Sequence, residues 1–270
     1  MKKFLKTLWS IVWPLAVYLL LAVIIEIIHS LILVFKNYYA TGELNIDSII
    51  YQAINESLGS TAIVSAISIL IFIFVIRGDR KRHAGDPEIE HADITFPAII
   101  AAIGGCLVGN YVLAVSGIME ADEAFDLVNE VIMSASVWMQ ILTAVILAPI
   151  CEELLFRGII YKRVEYSYGF WPAAIVSSLI FGAMHGNISQ FIYASALGML
   201  FAFAYRKSGK LWVCILMHLI ANAASLVFES FSMLFEDYAV VETIQIVVGA
   251  VLLIAGLIMM IKRSPKPKNR

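Results

Sequence analysis

The sequence predicts an all-α integral membrane protein, a polytopic bundle of about eight transmembrane helices with both termini in the cytoplasm. Hydrophobic residues make up 61% and charged residues 15% of the 270 residues, whereas soluble domains have about half and about a quarter. The hydrophobic residues form long runs, as spanning helices require. The charged residues are sorted between alternate connections, which is typical of a multi-pass topology.

Eight apolar runs are long enough to cross a bilayer, which takes about 17–25 residues. The runs cover residues 8–35, 58–76, 96–119, 131–161, 169–187, 189–205, 211–228 and 241–261. The run at 189–205 is the weakest, because it is short and follows its predecessor directly. The first run follows a basic segment, as in a signal peptide, but it exceeds the roughly 7–15 apolar residues of a signal sequence. It therefore predicts an uncleaved first span.

The basic residues predict the orientation. All but two of the 19 Lys and Arg residues lie at alternate ends of the runs and hence on one side of the membrane; the exceptions are Lys36 and Arg157. Acidic residues dominate the opposite connections, at 43–56, 120–130 and 229–242. Because basic connections stay in the cytoplasm, both termini are expected there. The short loops suit a multi-pass protein of a bacterial cell membrane.

One polar segment divides the chain. Residues 77–93 contain Gly85 and Pro87 and separate the first two spans from the rest. This predicts an N-terminal part, 1–95, with two helices and a basic cytoplasmic loop, and a helical bundle at 96–270.

Two acidic-side segments have the pattern of short amphipathic helices at the membrane surface. In the first, 47–57, apolar residues recur at helical spacing. The second, 120–130, is explained equally well as a solvated acidic linker.

Small residues recur every four positions in two consecutive runs, which lets helix backbones approach closely in a bilayer. We interpret these stripes as packing surfaces; they are Ala174, Ser178, Gly182 and Gly186, then Ala194, Gly198 and Ala202.

A cluster of ionisable residues interrupts the fourth run, where residues 151–158 are CEELLFRG. Each ionisable group at the centre of a span costs roughly 2.5–3.5 kcal/mol, so the cluster predicts partners and a use. Glu153 and Arg157 share a helix face and are expected to neutralise each other. Glu152 points about 100° away and needs a partner on another helix.

Two later spans supply candidate partners. Phe181 and His185 lie four residues apart on one span, as do His218 and Asn222 on another. A lone His in an apolar helix is more often a packing residue, but two of them with an unpaired Glu favour a shared polar site. From the spacing of these residues to the basic ends of their spans, we expect the site in the cytoplasmic half of the bilayer.

These side chains suit hydrolysis. Glu152 could take a proton from water that His185 orients, while His218 and Asn222 could donate hydrogen bonds to the oxyanion of an amide. Alternatively, the same carboxylate and two imidazoles are ligand types for zinc with one open position, namely Glu152, His185 and His218. The compact H-E-x-x-H zinc motif is absent from the sequence.

Three segments resemble the motifs of the CAAX protease and bacteriocin-processing (CPBP, Abi) family of intramembrane proteases. EELLFR at 152–157 resembles E-E-x-x-x-R, FGAMH at 181–185 resembles F-x-x-x-H, and HLIAN at 218–222 resembles H-x-x-x-N. The resemblance covers about 131–228, which would be the catalytic core. The family includes type II CAAX prenyl endopeptidases and lysostaphin-resistance-like proteins.

The resemblance implies a membrane endopeptidase and a role for each motif residue. Glu152 would activate water with His185, and His218 with Asn222 would form the oxyanion site. The implied supporting residues are Glu153, Arg157 and Phe181. Because family members are described both as metalloproteases and as metal-free glutamate proteases, the cofactor stays open between none and zinc. The implied partners are a peptide or protein substrate and the lipid bilayer, and not nucleic acid.

Two other classes of function fit the same composition. A non-catalytic membrane scaffold or bacteriocin self-immunity protein would use the polar cluster as a structural network. A small transporter would use the Glu and His residues as proton carriers, although the sequence shows no repeat symmetry. Substrate and oligomeric state are left open.

Overall fold

The computed structural model describes residues 1–82, 91–232 and 238–264, which are helical almost throughout and contain no strand. The all-α fold class is therefore confirmed. The helices are α1 (Lys2–Thr41), α2 (Ile46–Arg82), α3 (Thr95–Val115), α4 (Glu123–Ser134), α5 (Val137–Tyr168), α6 (Phe170–Ala183), α7 (Ile188–Ser208), α8 (Leu211–Ser232) and α9 (Tyr238–Lys262). Residues 83–90 of the polar segment at 77–93, which include Gly85 and Pro87, lie outside the described residues.

Seven of the described helices are long and apolar enough to cross a membrane, which confirms a polytopic bundle. They are α1, α2, α3, α5, α7, α8 and α9. The weakest run by sequence became α7, a helix of 21 residues. The run at 169–187 instead became α6, with only 14 residues, about 21 Å at 1.5 Å per residue. The count of eight spanning helices is thus not confirmed, and the side of the termini stays a prediction.

Helix α6 is short because the chain turns back directly after it. Gly186 has a φ of 75°, a left-handed conformation that ends a helix and that glycine adopts without strain. The next residue, Asn187, begins α7 and accepts a hydrogen bond from the Gln190 N–H at 2.8 Å. Asp122 accepts one from the Ser189 N–H at 2.7 Å, and this bond is the main reason that the pKa of Asp122 is lowered.

The two segments predicted as amphipathic surface helices have different outcomes. Residues 47–57 are the first turns of α2, which continues unbroken to Arg82, so the prediction of a separate surface helix is wrong. Gly59 lies in this helix without a positive φ, and no proline interrupts the chain there. Residues 120–130 include most of α4, whose N-terminus is capped by Asp122 accepting from the Phe125 N–H. For this segment the helical alternative holds.

The helices pack around two core clusters, and α7 and α8 contribute side chains to both. Phe72 and Ile159 belong to a core cluster formed by α1, α2, α5 and α6 with parts of α7 and α8. Phe201, Met217 and Met260 belong to a second cluster, formed by α3, α7, α8 and α9. Helix α2 therefore packs directly against α5. The division of the chain near residue 95 stays a prediction.

The predicted small-residue stripes lie at the contact between α6 and α7, except for Gly186, which lies in the turn after α6. A Cβ atom on Gly182 would lie 2.2 Å from the Ser195 Oγ, and one on Gly198 would lie 2.9 Å from the Ser178 Cβ. Neither distance is tolerable, so the two backbones approach as closely as they do because these positions are glycine.

Candidate active site

Helix α5 changes its winding on both sides of the two glutamates. Residues Ile141–Leu147 and Leu154–Tyr161 are π-helical, while Ala148–Glu153 between them is α-helical. π-Helical turns within an α-helix are frequent at functional sites. The glutamates therefore lie on a short regular segment whose orientation depends on the two irregular ones.

Pro149 explains where Asn222 points. In the first π-helical stretch, the Ala148 N–H donates to the Thr143 oxygen, five residues back. In that pattern the next donor would be Pro149, facing the Ala144 oxygen, but proline has no N–H. The Asn222 Nδ2 donates to this oxygen instead, at 2.8 Å, which satisfies a carbonyl that would be costly to leave unpaired. Asn222 thus fastens α8 to α5 before the glutamates.

Glu153 and Arg157 form the predicted pair. Both side chains are fully buried, and the Arg157 Nη1 donates to the Glu153 Oε1 at 2.8 Å. The guanidinium carbon lies 4.8 Å from the ring centroid of Phe181 and 5.4 Å from that of Phe201. The two aromatic rings therefore stabilise the cation where water would otherwise solvate it. Phe201 was not singled out from the sequence, because one Phe among 15 carries no distinguishing spacing.

His218 bridges the two glutamates. Its Nδ1 lies 2.9 Å from the Glu153 Oε1, and its Nε2 lies 3.6 Å from the Glu152 Oε2. This is the partner on another helix that Glu152 was expected to have. The link to Glu153 was missed, because helix spacing alone paired Glu153 with Arg157 and left no sign of a third group.

The orientation of the His185 ring is fixed through its Nδ1 atom. Its Nδ1 lies 2.9 Å from the Phe181 carbonyl oxygen, which can only accept a hydrogen bond, so the Nδ1 must carry the hydrogen. In the neutral ring the Nε2 is then an acceptor, available to a water molecule. The turn that follows α6 places this ring beside α5.

A small cavity of about 50 Å³ lies between α1, α5 and α6. Its polar lining comes from Glu152, His185 and Tyr18. A cavity of this size, with polar groups on several sides, has room for a few water molecules. Within the described residues the Tyr18 hydroxyl has no hydrogen-bonding partner. Tyr18 could not be selected from the sequence, because no other polar residue lies three or four positions from it in its span.

A second, larger cavity of about 830 Å³ brings the candidate residues together. The three motifs reach it from α5, from α6 with its following turn, and from α8. The residues of the motifs that line it are Glu152, Phe181, His185, His218 and Asn222. Glu153 and Arg157 lie behind this surface, fully buried. All four predicted catalytic side chains therefore face one space large enough for a peptide segment.

The alternative zinc set does not form a three-ligand group in this arrangement. In the part of the chain that the structure describes, no three His, Cys, Asp or Glu side chains are placed to hold a metal ion together. Both nitrogens of His218 face carboxylates, and one nitrogen of His185 is engaged by a backbone oxygen. As arranged, Glu152, His185 and His218 do not fit the three-protein-ligand pattern of catalytic zinc.

Comparison with known proteins supports the resemblance drawn from the three motifs. Residues 134–224 match the model of the type II CAAX prenyl endopeptidase Rce1-like family. A Bacillus subtilis protein named as a membrane peptidase, YdiL, is 26% identical over 206 residues, which cover 73% of this chain and 80% of YdiL. The membrane-embedded CAAX protease MroQ of Staphylococcus aureus is 29% identical over 90 residues, or 31% of this chain and 36% of MroQ.

An uncharacterized 24.3 kDa protein of Escherichia coli is 35% identical over 95 residues, which cover 33% of this chain and 44% of that protein. No solved structure matches the chain. The matched family and the two named relatives indicate a membrane peptidase, and the recognition made from the motifs is confirmed.

Proposed function

We propose that this chain, whose residues 134–224 share the Rce1-like core, is an intramembrane endopeptidase. It would hydrolyse peptide bonds of membrane-associated peptides with water activated by Glu152 and His185. The observation that carries the proposal is the convergence of three sequence motifs from separate helices on one cavity. A structural network alone would not require a cavity of this size beside the polar groups.

The water molecule has a defined place in this proposal. In the small cavity one of its hydrogens points to the Glu152 carboxylate and the other to the His185 Nε2. The Tyr18 hydroxyl donates a hydrogen bond to one lone pair, which leaves the second lone pair for the substrate carbonyl. As the water oxygen bonds to the carbonyl carbon, its proton moves to Glu152.

Two side chains of α8 stabilise the negative charge that develops on the carbonyl oxygen. The His218 Nε2–H and the second amide hydrogen of Asn222 donate to this oxyanion. Glu152 then returns its proton to the amide nitrogen, the carbon–nitrogen bond breaks, and a carboxylic acid and an amine are released. The carboxylate of Glu152 is thereby regenerated.

The buried charges balance in this scheme. Before the reaction, His218 carries a hydrogen on each ring nitrogen and donates towards Glu153 and Glu152, while Arg157 pairs with Glu153. Two carboxylates then face two cations, so the site carries no net charge in a medium where an unpaired charge is costly. Once Glu152 has taken the proton of the water, the His218 Nε2–H donates to the oxyanion instead. Glu153, itself paired with Arg157, supports catalysis by holding the His218 ring in place.

The test is a peptidase assay on purified protein with fluorogenic apolar peptides. Glu152→Gln keeps the shape of the side chain and removes the base, so turnover should fall by about 10²–10⁴, with folding nearly unchanged. Glu165→Gln is the matched control: it lies on the same helix, where it pairs with Lys162 at 2.9 Å. The proposal fails if Glu152→Gln keeps activity comparable to wild type.

A metal-free site is part of the proposal, and elemental analysis tests it. Because His218 is taken up by carboxylates, purified protein should contain far less than one equivalent of zinc. Asn222→Ala should slow turnover by about 10²–10³, as for loss of one oxyanion donor. One equivalent of zinc that is lost in His185→Ala and His218→Ala, but kept in Asn222→Ala, would contradict this.

A further inference from the structure

The large cavity extends from the catalytic groups towards one face of the bundle. We call the side that carries the α1–α2 and α3–α4 connections, the end of α8 and the start of α9 the acidic face. The side with residues 77–82, 162–163 and 206–210 is the basic face. Each helix contributes lining residues from the part that points to the acidic face, among them Ile50 and Thr61 of α2, Ala114 of α3, Thr143 of α5 and Gln245 of α9.

Helix α4 forms a wall of this cavity at the acidic face. Phe125, Val128 and Ile132 all line it. The helix is held at both ends, by Asp122 accepting from the Ser189 N–H at 2.7 Å and by Gln140 donating to the Ala135 oxygen at 2.9 Å. The amphipathic pattern of α4 is thus explained by a cavity beneath it.

The opposite side of the catalytic groups is filled with packed side chains. Every residue of α5 from Leu154 to Tyr161 is buried. Beyond them Arg163 pairs with Asp79 at 2.8 Å and also donates to the Ser10 carbonyl oxygen, which joins α5 to α2 and α1. The core on this side is therefore closed where the acidic side is hollow.

We infer that substrate reaches the catalytic groups from the acidic face, so that the cleaved bond belongs to an apolar peptide segment presented at that face. That the molecule entering by this route is a substrate rests on the proposed peptidase activity, whereas the access route itself is a property of the fold. By the positive-inside rule the acidic face lies outside the cell. The catalytic groups then form the floor of the cavity. This floor lies nearer the cytoplasm, and the cavity opens towards the outside of the cell.

Cysteine labelling with a sulfonated, membrane-impermeant maleimide tests the route. The three native cysteines are all buried, so wild type gives the background. Ala148→Cys places a thiol in the cavity one turn before Glu152. Exposed Glu43→Cys reports the acidic face, and exposed Arg206→Cys reports the basic face.

We expect Ala148→Cys to be labelled under the conditions that label Glu43→Cys, and to stay unlabelled when only Arg206→Cys is reached. Intact cells and inverted vesicles expose the two faces in turn. Labelling that follows Arg206→Cys would overturn the inference, and so would labelling only by a membrane-permeant maleimide, which would show access from the lipid. Ala204→Cys, fully buried on the basic side, should not react in either preparation.

Labelling does not require catalysis, so the same experiment in a Glu152→Gln background separates the two proposals. If the access route is wrong, the labelling pattern changes. If the peptidase activity is absent, the labelling pattern is kept and only the cleavage of peptide fails. If the labelling pattern holds, a quenched apolar peptide should be cleaved by vesicles that expose the acidic face. At least tenfold slower cleavage is expected where only the basic face is exposed. Equal rates from both faces would overturn the inference.

Discussion

His218 sets the arrangement of the site at the scale of single residues, because each of its ring nitrogens faces a different glutamate. The contact to Glu153 is a hydrogen bond of 2.9 Å, whereas the one to Glu152 is 3.6 Å. The longer contact leaves the Glu152 carboxylate available to the water molecule of the proposed mechanism. Glu152 is also 23% exposed while Glu153 is fully buried, so of these two neighbours only Glu152 lines the cavities.

Tyr18→Phe tests the only residue of the water site that comes from α1. The change keeps the ring, whose centroid lies 6.5 Å from that of Phe72, and removes one neutral hydrogen bond of about 0.5–1.5 kcal/mol. We expect kcat to fall by about 3–10-fold with KM unchanged, measured on the fluorogenic peptides.

Tyr205→Phe is the matched control, since Tyr205 is buried against Tyr161, with ring centroids 5.5 Å apart, and does not line either cavity. An unchanged kcat in Tyr18→Phe, or an equal decrease in both variants, would remove Tyr18 from the mechanism.

What could be predicted from the sequence at this scale was the set of motif residues and the Glu153–Arg157 pair. Spacing within a helix determines which side chains share a face, and both i to i+4 relations follow from that. Contacts between helices depend on their relative rotation, which spacing does not contain. For that reason the bridge from His218 to Glu153 and the position of Tyr18 beside Glu152 appeared only in the structure.

At the scale of helices, the winding of α5 decides how the glutamates are presented. The first π-helical stretch ends at Leu147, two residues before Pro149. Pro149 lacks a backbone donor, and Asn222 donates to the carbonyl that is left free. The run of apolar residues predicted the span, but it could not predict the change of winding. The position of the proline was the one signal in the sequence that could have suggested it.

Gly198→Ala tests how tightly α7 packs against the buried pair. An added Cβ would lie 2.9 Å from both the Arg157 Nη2 and the Ser178 Cβ, and overpacking of this kind costs about 1–3 kcal/mol. We expect a lower midpoint of thermal unfolding in detergent, by several degrees, together with reduced activity because Arg157 must shift.

The control for this change is Gly59→Ala, at a helical glycine whose added Cβ would meet no atom within 4 Å. Alanine favours a helix over glycine by about 1 kcal/mol, so this variant should unfold at the same temperature as wild type or slightly above. If both variants behave alike, the close contact at Gly198 does not constrain the site.

At the scale of the whole molecule, the basic side chains and the large cavity lie at opposite ends of the helical bundle. Basic side chains accumulate on the side where the core is packed, and the hollow lies on the side of the acidic connections. The sequence predicted the helical bundle correctly because long apolar runs have few alternatives in a bilayer. It could not predict the hollow, because a cavity is what remains between helices after they have packed.

The last prediction concerns the orientation of the bundle, since it converts the acidic face into a side of the membrane. A fluorescent protein that folds only in the cytoplasm should be active when fused to the C-terminus. A phosphatase that folds only outside should be active when inserted after Gly42, between α1 and α2. These results follow if basic connections are retained in the cytoplasm. The reverse pattern would contradict the predicted orientation, and the cavity would then open to the cytoplasm. The labelling of Ala148→Cys relative to Glu43→Cys would still hold, because it depends on the fold and not on its direction of insertion.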